Sequence, residues 1–178
     1  MRFFAPILAL ALVAMLSLPA GAAAGCPGAE RAPRDLTMRE ATAAVQCAIN
    51  QRRRKQGVRK LKMNRKLAKA ARRHSHVMDN RNFFSHISPW GASLVDRIGK
   101  TGYLSGSRGW GVGENLRWGT GAAGSPRMAV IAWMRSPAHR RTLLARRYRH
   151  LGVGVALGSP IGVAEGNTAI YTADFGYR

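Results

Sequence analysis

The chain opens on an unbroken apolar run from Phe3 to Leu18 and then changes rhythm. Arg2 is the only charge ahead of Glu30, and the run ends on Pro19 and a tail of alanine and glycine reaching Ala24. A positive start, an apolar middle and a small-residue end predict a secretory signal peptide over residues 1–24. The run is nearly long enough to anchor in a bilayer, but Pro19 and the small tail oppose that reading. No second apolar run follows, so no transmembrane segment is expected after cleavage.

Helical spacing takes over after a Pro-, Gly- and charge-rich lead-in, residues 25–36, expected to be flexible. Thr37 and Glu40 form an S/T-x-x-E capping box, and Ala41, Ala44, Val45, Ala48 and Ile49 follow on one helical face. Gly57 is the natural stop. Asn64 caps a second helix whose stripe is Leu67, Ala70, Ala71, His74 and Met78. A short helix is expected over Ser93–Lys100. Ser125-Pro126 opens another that runs to about Arg135, and Ser136-Pro137 restarts a further turn. Residues 105–124 are glycine-rich and read as irregular. The period then shortens to two. Leu151, Val153, Val155 and Leu157 share one face of a strand, and Ala169, Tyr171, Ala173 and Phe175 share one face of another. Helices first and strands last predict an α+β domain over residues 37–178.

Charge changes the picture. Without residues 1–24 the chain keeps 28 of its 29 basic residues and all 8 acidic ones, a net charge of +20. Arginine outnumbers lysine by 23 to 6, which GC-rich codon usage explains in part. Such a charge favours anionic partners: envelope or extracellular polymers, or lipid. Export makes nucleic acid the least natural of these. Residues 50–73 hold 12 Lys or Arg and no acid, and 140–149 add five arginines. Both runs are expected to face solvent, Arg52, Arg53 and Arg54 included. The two cysteines, Cys26 and Cys47, read as one disulfide in an exported chain. The competing reading is a lipid anchor on Cys26, because Ala23-Ala24-Gly25-Cys26 loosely resembles a lipoprotein signal.

Several short pieces occur in a characteristic order: Asn50-Gln51-x-Arg53, then Phe84-Ser85-His86, then Gly113-Glu114-Asn115. Trp133-x-x-Ser136-Pro137-x-His139-Arg140 follows, and then Leu151-Gly152-Val153-Gly154 and Phe175-Gly176. Together they resemble the bacterial branch of the CAP superfamily, the cysteine-rich secretory, antigen 5 and pathogenesis-related proteins. The resemblance implies an α-β-α sandwich with a small antiparallel sheet between helical layers. It also implies a cleft carried by His86, Glu114 and His139. Ser136 stands where the eukaryotic pattern has a second glutamate, so any role needing paired carboxylates is put in doubt.

Two imidazoles and one carboxylate suit a zinc ion with an open position, held by His86, His139 and Glu114. They equally suit a purely structural cluster, with the buried carboxylate hydrogen-bonded to loops. His74, on the apolar stripe, reads as a core residue. Ser85 and Ser136 lie near the histidines in sequence, but neither stands in a nucleophile elbow. The expectation is a secreted, monomeric, non-enzymatic module that binds a ligand or envelope component. The alternative is a metal-assisted hydrolase acting on peptide or cell-wall substrates.

Overall fold

A computed structural model describes Met1, residues 25–162 and residues 166–178. The expected signal peptide lies outside the described residues. Five helices and four strands follow in the order α1 (Met38–Lys55), β1 (Lys62–Met63), α2 (Arg65–Asn80), α3 (Leu94–Gly99), β2 (Gly111–Thr120), α4 (Pro126–Arg135), α5 (Pro137–Leu144), β3 (His150–Ala156) and β4 (Thr168–Tyr177). Local capping residues set the helix starts. Thr37 and Glu40 close a reciprocal capping box on α1, Asn64 accepts the amides of Lys66 and Leu67 on α2, and Ser93 with Asp96 caps α3. Gly57, at φ 62°, takes the chain out of α1 through a conformation that only glycine adopts cheaply.

The strands form one sheet in the order β1-β3-β4-β2. The three long strands are antiparallel, with Glu114 opposite Asp174 and Asp174 opposite Gly152. The sheet is not wholly antiparallel, as the resemblance had implied, because β1 adds a two-residue parallel pairing to the edge of β3. Nor is the glycine-rich stretch irregular throughout: ten of its residues are β2, paired along their whole length with β4.

Helices cover both faces. On one side α1, α4 and α5 bury Val45, Ile49, Trp133 and Leu143 against Ala169, Tyr171, Ala173 and Phe175 of β4. On the other, α2 lies directly on β3 and β4. The glycine face of β3 makes this possible. A Cβ at Gly152 or Gly154 would stand 2.2 Å from the α2 backbone at Leu67 or Ala71. The lead-in is not loose. Cys26, Ala29 and Leu36 are buried in the same core as α1, and Cys26 is bonded to Cys47 of that helix. This bridge takes the sulfur that a lipid anchor on Cys26 would need. Among the described residues, no helix is long and apolar enough to cross a membrane.

Candidate functional site

Glu114 sits on β2 with its side chain 2 % exposed, on the sheet face that α2 covers. Each of its oxygens is answered by a different element. His86, in the loop after α2, donates from Nδ1 to Oε1 at 2.7 Å, and Arg97 of α3 donates from Nη2 to Oε2 at 2.7 Å. The other terminal nitrogen of the same guanidinium, Nη1, donates to the carbonyls of His86 and Ala92. Arg97 therefore clamps the 86–92 loop and the carboxylate at once. Burial alone would push the Glu114 carboxyl up, but the His86 hydrogen bond and the Arg97 charge outweigh it and hold it below its ordinary value. His74 lies behind this cluster, 1 % exposed as its place on the stripe predicts, with Nε2 donating to the carbonyl of Ser85 at 2.9 Å. Burial is the main cause that lowers its pKa, so the ring stays neutral.

His139, on α5, approaches from the opposite side of the sheet. Asn115, next to Glu114, reaches across to bond its carbonyl at 3.0 Å. Burial, and then the charge of His86, lower the pKa of its ring. The structure thus brings His86 and Glu114 into contact and sets His139 within electrostatic range of His86. Ser136 begins α5 without a side-chain cap bond, and the Ser85 hydroxyl accepts the amide of Ile87. Neither hydroxyl hydrogen-bonds an imidazole.

Two members of the cluster, Arg97 and Asp174, are not among the site residues expected from the sequence. Asp174 of β4 faces Glu114 across the ladder and is wholly buried. Ionised, it would have no donor for either oxygen; protonated, it donates to Glu114. Burial, and then the charge of Glu114, push its pKa well above the ordinary carboxylate range. The site therefore holds two carboxyl groups after all, one charged and one neutral, although no glutamate stands at position 136.

The arrangement does not fit zinc held by all three predicted ligands. Both Glu114 oxygens and His86 Nδ1 are committed to one another or to Arg97. Among the described residues, no three His, Cys, Asp or Glu side chains are disposed to hold a metal ion. Glu114 serves instead as a hydrogen-bond acceptor that fixes the His86 ring, leaving Nε2 outward.

A second feature lies at the β1 edge. The Asn50 side chain pairs with both the amide and the carbonyl of Leu61. Arg53 is not a surface residue, as the charge run had suggested. It is 0 % exposed and donates to the carbonyls of Arg59, Leu143 and Ala145. Its burial lowers its pKa to about 10. These two side chains fix residues 59–61, and the parallel pairing then places Lys62 beside His150, with the Lys62 amide bonded to the carbonyl of Arg149. The result is a cleft of about 520 Å³ walled by Arg59, Lys60, Lys62, Arg149 and His150. It adjoins another of about 320 Å³ that Lys60 shares with Arg54. The two basic runs of the sequence meet here.

Comparison with known proteins agrees with this fold. Residues 47–175 match the model of the cysteine-rich secretory protein family, CAP. The chain is 35% identical over 105 residues to the uncharacterized protein YkwD of Bacillus subtilis strain 168, a stretch covering 59% of this chain and 38% of that one. An extracellular protein containing an SCP domain from Bacillus anthracis superimposes with a TM-score of 0.60 at 26% identity, over 78% of this chain and 39% of that chain. The chain thus spans less than half of either Bacillus protein. An outer surface protein of Borrelia burgdorferi shares the fold, with a TM-score of 0.65 at 20% identity over 80% of this chain and 96% of its own.

Proposed function

The chain belongs to the cysteine-rich secretory protein (CAP) family, and from that premise we propose that it is an extracellular, non-enzymatic module that binds anionic envelope polymers through the basic cleft at its β1 edge. One observation carries this reading: two runs of positive charge far apart in sequence are brought to one cleft, with no carboxylate in its lining. Solvated faces ordinarily mix signs, because like charges held together repel. Here Asn50 and Arg53 hold such charges together by backbone contacts, and an anionic chain is the partner that relieves the repulsion. The chemistry at Glu114 supports the non-enzymatic part. Its charge is answered within the protein, and no serine is activated by an imidazole among the described residues.

The test is retention on an immobilised polyanion such as heparin under a salt gradient. The native protein should be retained and elute earlier as salt rises, because exposed charges are screened beyond about 10 Å at 0.1 M. The triple variant Arg59→Gln, Lys60→Gln, Lys62→Gln should elute at clearly lower salt with unchanged melting temperature. No retention of the native protein, or retention indifferent to salt, would refute the reading.

A further inference from the structure

A different surface, on the α2 side of the fold, carries a second property. The loop between α2 and α3 exposes three large apolar side chains close together in sequence: Phe84 at 42%, Ile87 at 48% and Trp90 at 59%. Exposed apolar residues are common singly, but a group on one loop calls for a reason. This loop is also held rigid from beneath. Arg97 binds the carbonyls of His86 and Ala92, His74 binds that of Ser85, and Ser88 exchanges backbone hydrogen bonds with Gly91 and Ala92. The apolar groups are therefore presented outward by a fixed scaffold and do not fold back onto the core.

Behind Trp90 lies a pocket of about 430 Å³ whose floor is apolar, formed by Ala70, Val77 and Ala92. Arg72, Arg73 and Lys100 stand on its wall, all exposed. Among the described residues, neither Arg72 nor Arg73 has an ion pair or side-chain hydrogen bond. In the same wall, the Ser88 hydroxyl and His74 Nδ1 are buried without a hydrogen-bond partner. An exposed indole beside an apolar hollow, collared by free guanidinium groups, matches the boundary between acyl chains and anionic headgroups.

We propose that the 84–90 loop and this pocket dock the domain on an anionic lipid bilayer. Trp90, Ile87 and Phe84 enter the headgroup–acyl boundary, and Arg72, Arg73 and Lys100 take the phosphates. This proposal does not rest on the polymer-binding reading, because it uses none of the residues of the β1 cleft.

The experiment uses the protein without residues 1–24 and with its disulfide formed, mixed with vesicles of phosphatidylglycerol and phosphatidylcholine in equal parts, and with phosphatidylcholine alone. Co-sedimentation should occur only with the anionic vesicles. The triple variant Phe84→Ser, Ile87→Ser, Trp90→Ser should lose about tenfold or more in partitioning. The pair Arg72→Gln, Arg73→Gln should lose less, and the loss should shrink as salt rises. Vesicles with brominated acyl chains should quench native tryptophan fluorescence, and the Trp90→Phe variant, which conserves the ring's bulk, should show much less quenching. Equal quenching in the two proteins, or partitioning indifferent to the loop, would reduce the contact to surface charge and overturn the proposal. Binding of monomeric laurate without binding to vesicles would assign the pocket to a soluble amphiphile and overturn it too. So would a dimer that the triple variant converts to monomer, because the loop would then cover itself. The Arg59, Lys60 and Lys62 variant should still dock on the anionic vesicles, which separates a failure here from a failure of the polymer reading.

Discussion

The Glu114 cluster and the β1 cleft are built from the same kinds of side chain and treat charge in opposite ways. In the cluster both carboxyl groups are answered: Glu114 by Arg97 and His86, and Asp174 by keeping its proton. In the cleft, five basic side chains line one hollow with no acid among them. A charge taken out of water must be paired, whereas a charge left in water needs no partner and stays open to one from outside. The acidic residues sharpen the contrast. Of the eight in the chain, two are buried in the cluster. Glu30, Asp35, Glu40 and Asp96 cap helices or pair with arginines away from the cleft. The first region holds the fold, and the second is what the fold exposes.

Breaking the cluster should have the largest effect. Arg97→Ala leaves Glu114 charged and buried, and removes the clamp on the 86–92 loop. It should cost roughly 3–5 kcal/mol of unfolding free energy, the usual penalty for stranding one member of a buried pair. Adding Glu114→Gln should recover part of that loss, because the stranded charge goes with it. Urea denaturation of the single and double variants measures both. A loss under about 1 kcal/mol for Arg97→Ala would mean that the cluster behaves like a surface pair.

Arg53 and Arg54 put the same contrast between neighbours in sequence. Arg53 is buried on three carbonyls, and Arg54 is exposed beside Lys60. Arg53→Gln should cost on the order of 3 kcal/mol, since a shorter side chain leaves buried acceptors unpaired. Arg54→Gln should stay within about 0.5 kcal/mol of the native protein and weaken polyanion retention instead. Thermal melts paired with salt elution of the two variants decide it; matching behaviour would erase the distinction between the regions.

Legibility in the sequence followed how local each signal was. The helix caps at Thr37 and Asn64 act within three residues and are legible in the sequence. The disulfide followed from counting cysteines in a chain expected to be exported. Strand β2 was not legible because Gly111, Gly113 and Gly119 break the alternation, and its pairing partner β4 lies far along the chain, from Thr168 opposite Thr120 to Tyr177 opposite Gly111. Gly152 and Gly154 alternate with the apolar residues of β3 and carry no side chain to mark their surroundings, yet they are the seat of α2. For the same reason the alternation of β4 does not by itself mark Asp174 as buried. In an alternating strand the polar positions face solvent only if nothing covers that side, and α2 covers it. Arg53 was hidden by its neighbours, since one buried arginine in a basic run has no signature of its own. In the site, His86 and Glu114 came from the family resemblance, while Arg97 and Asp174, which complete it, needed the three-dimensional contacts.

The smallest effect expected is one of slope, and it separates the two carboxyl groups of the cluster. The pKa of Asp174 is raised in the folded protein, so above its ordinary value of 3.8 the native state holds a proton that the unfolded chain has released. Stability then falls as pH rises through that window. Glu114 is lowered from 4.5 and His74 from 6.5, so each contributes the reverse: stability present above those values and lost as acid forces the proton on. Between about pH 4.5 and 6.5 the contribution of Asp174 opposes that of His74, and His139 and His150, also lowered from 6.5, act in the same sense as His74. Asp174→Asn keeps a neutral donor to Glu114 and removes only the titration. Its stability should therefore climb with pH more steeply than that of the native protein across the same window, because the opposing contribution of Asp174 is gone. By neutral pH the variant should be at least as stable as the native protein. Chemical denaturation at several pH values in this range gives both curves. Parallel curves would show that Asp174 is ionised in the native state, and the cluster would then hold an unanswered charge, which would end the contrast with the β1 cleft.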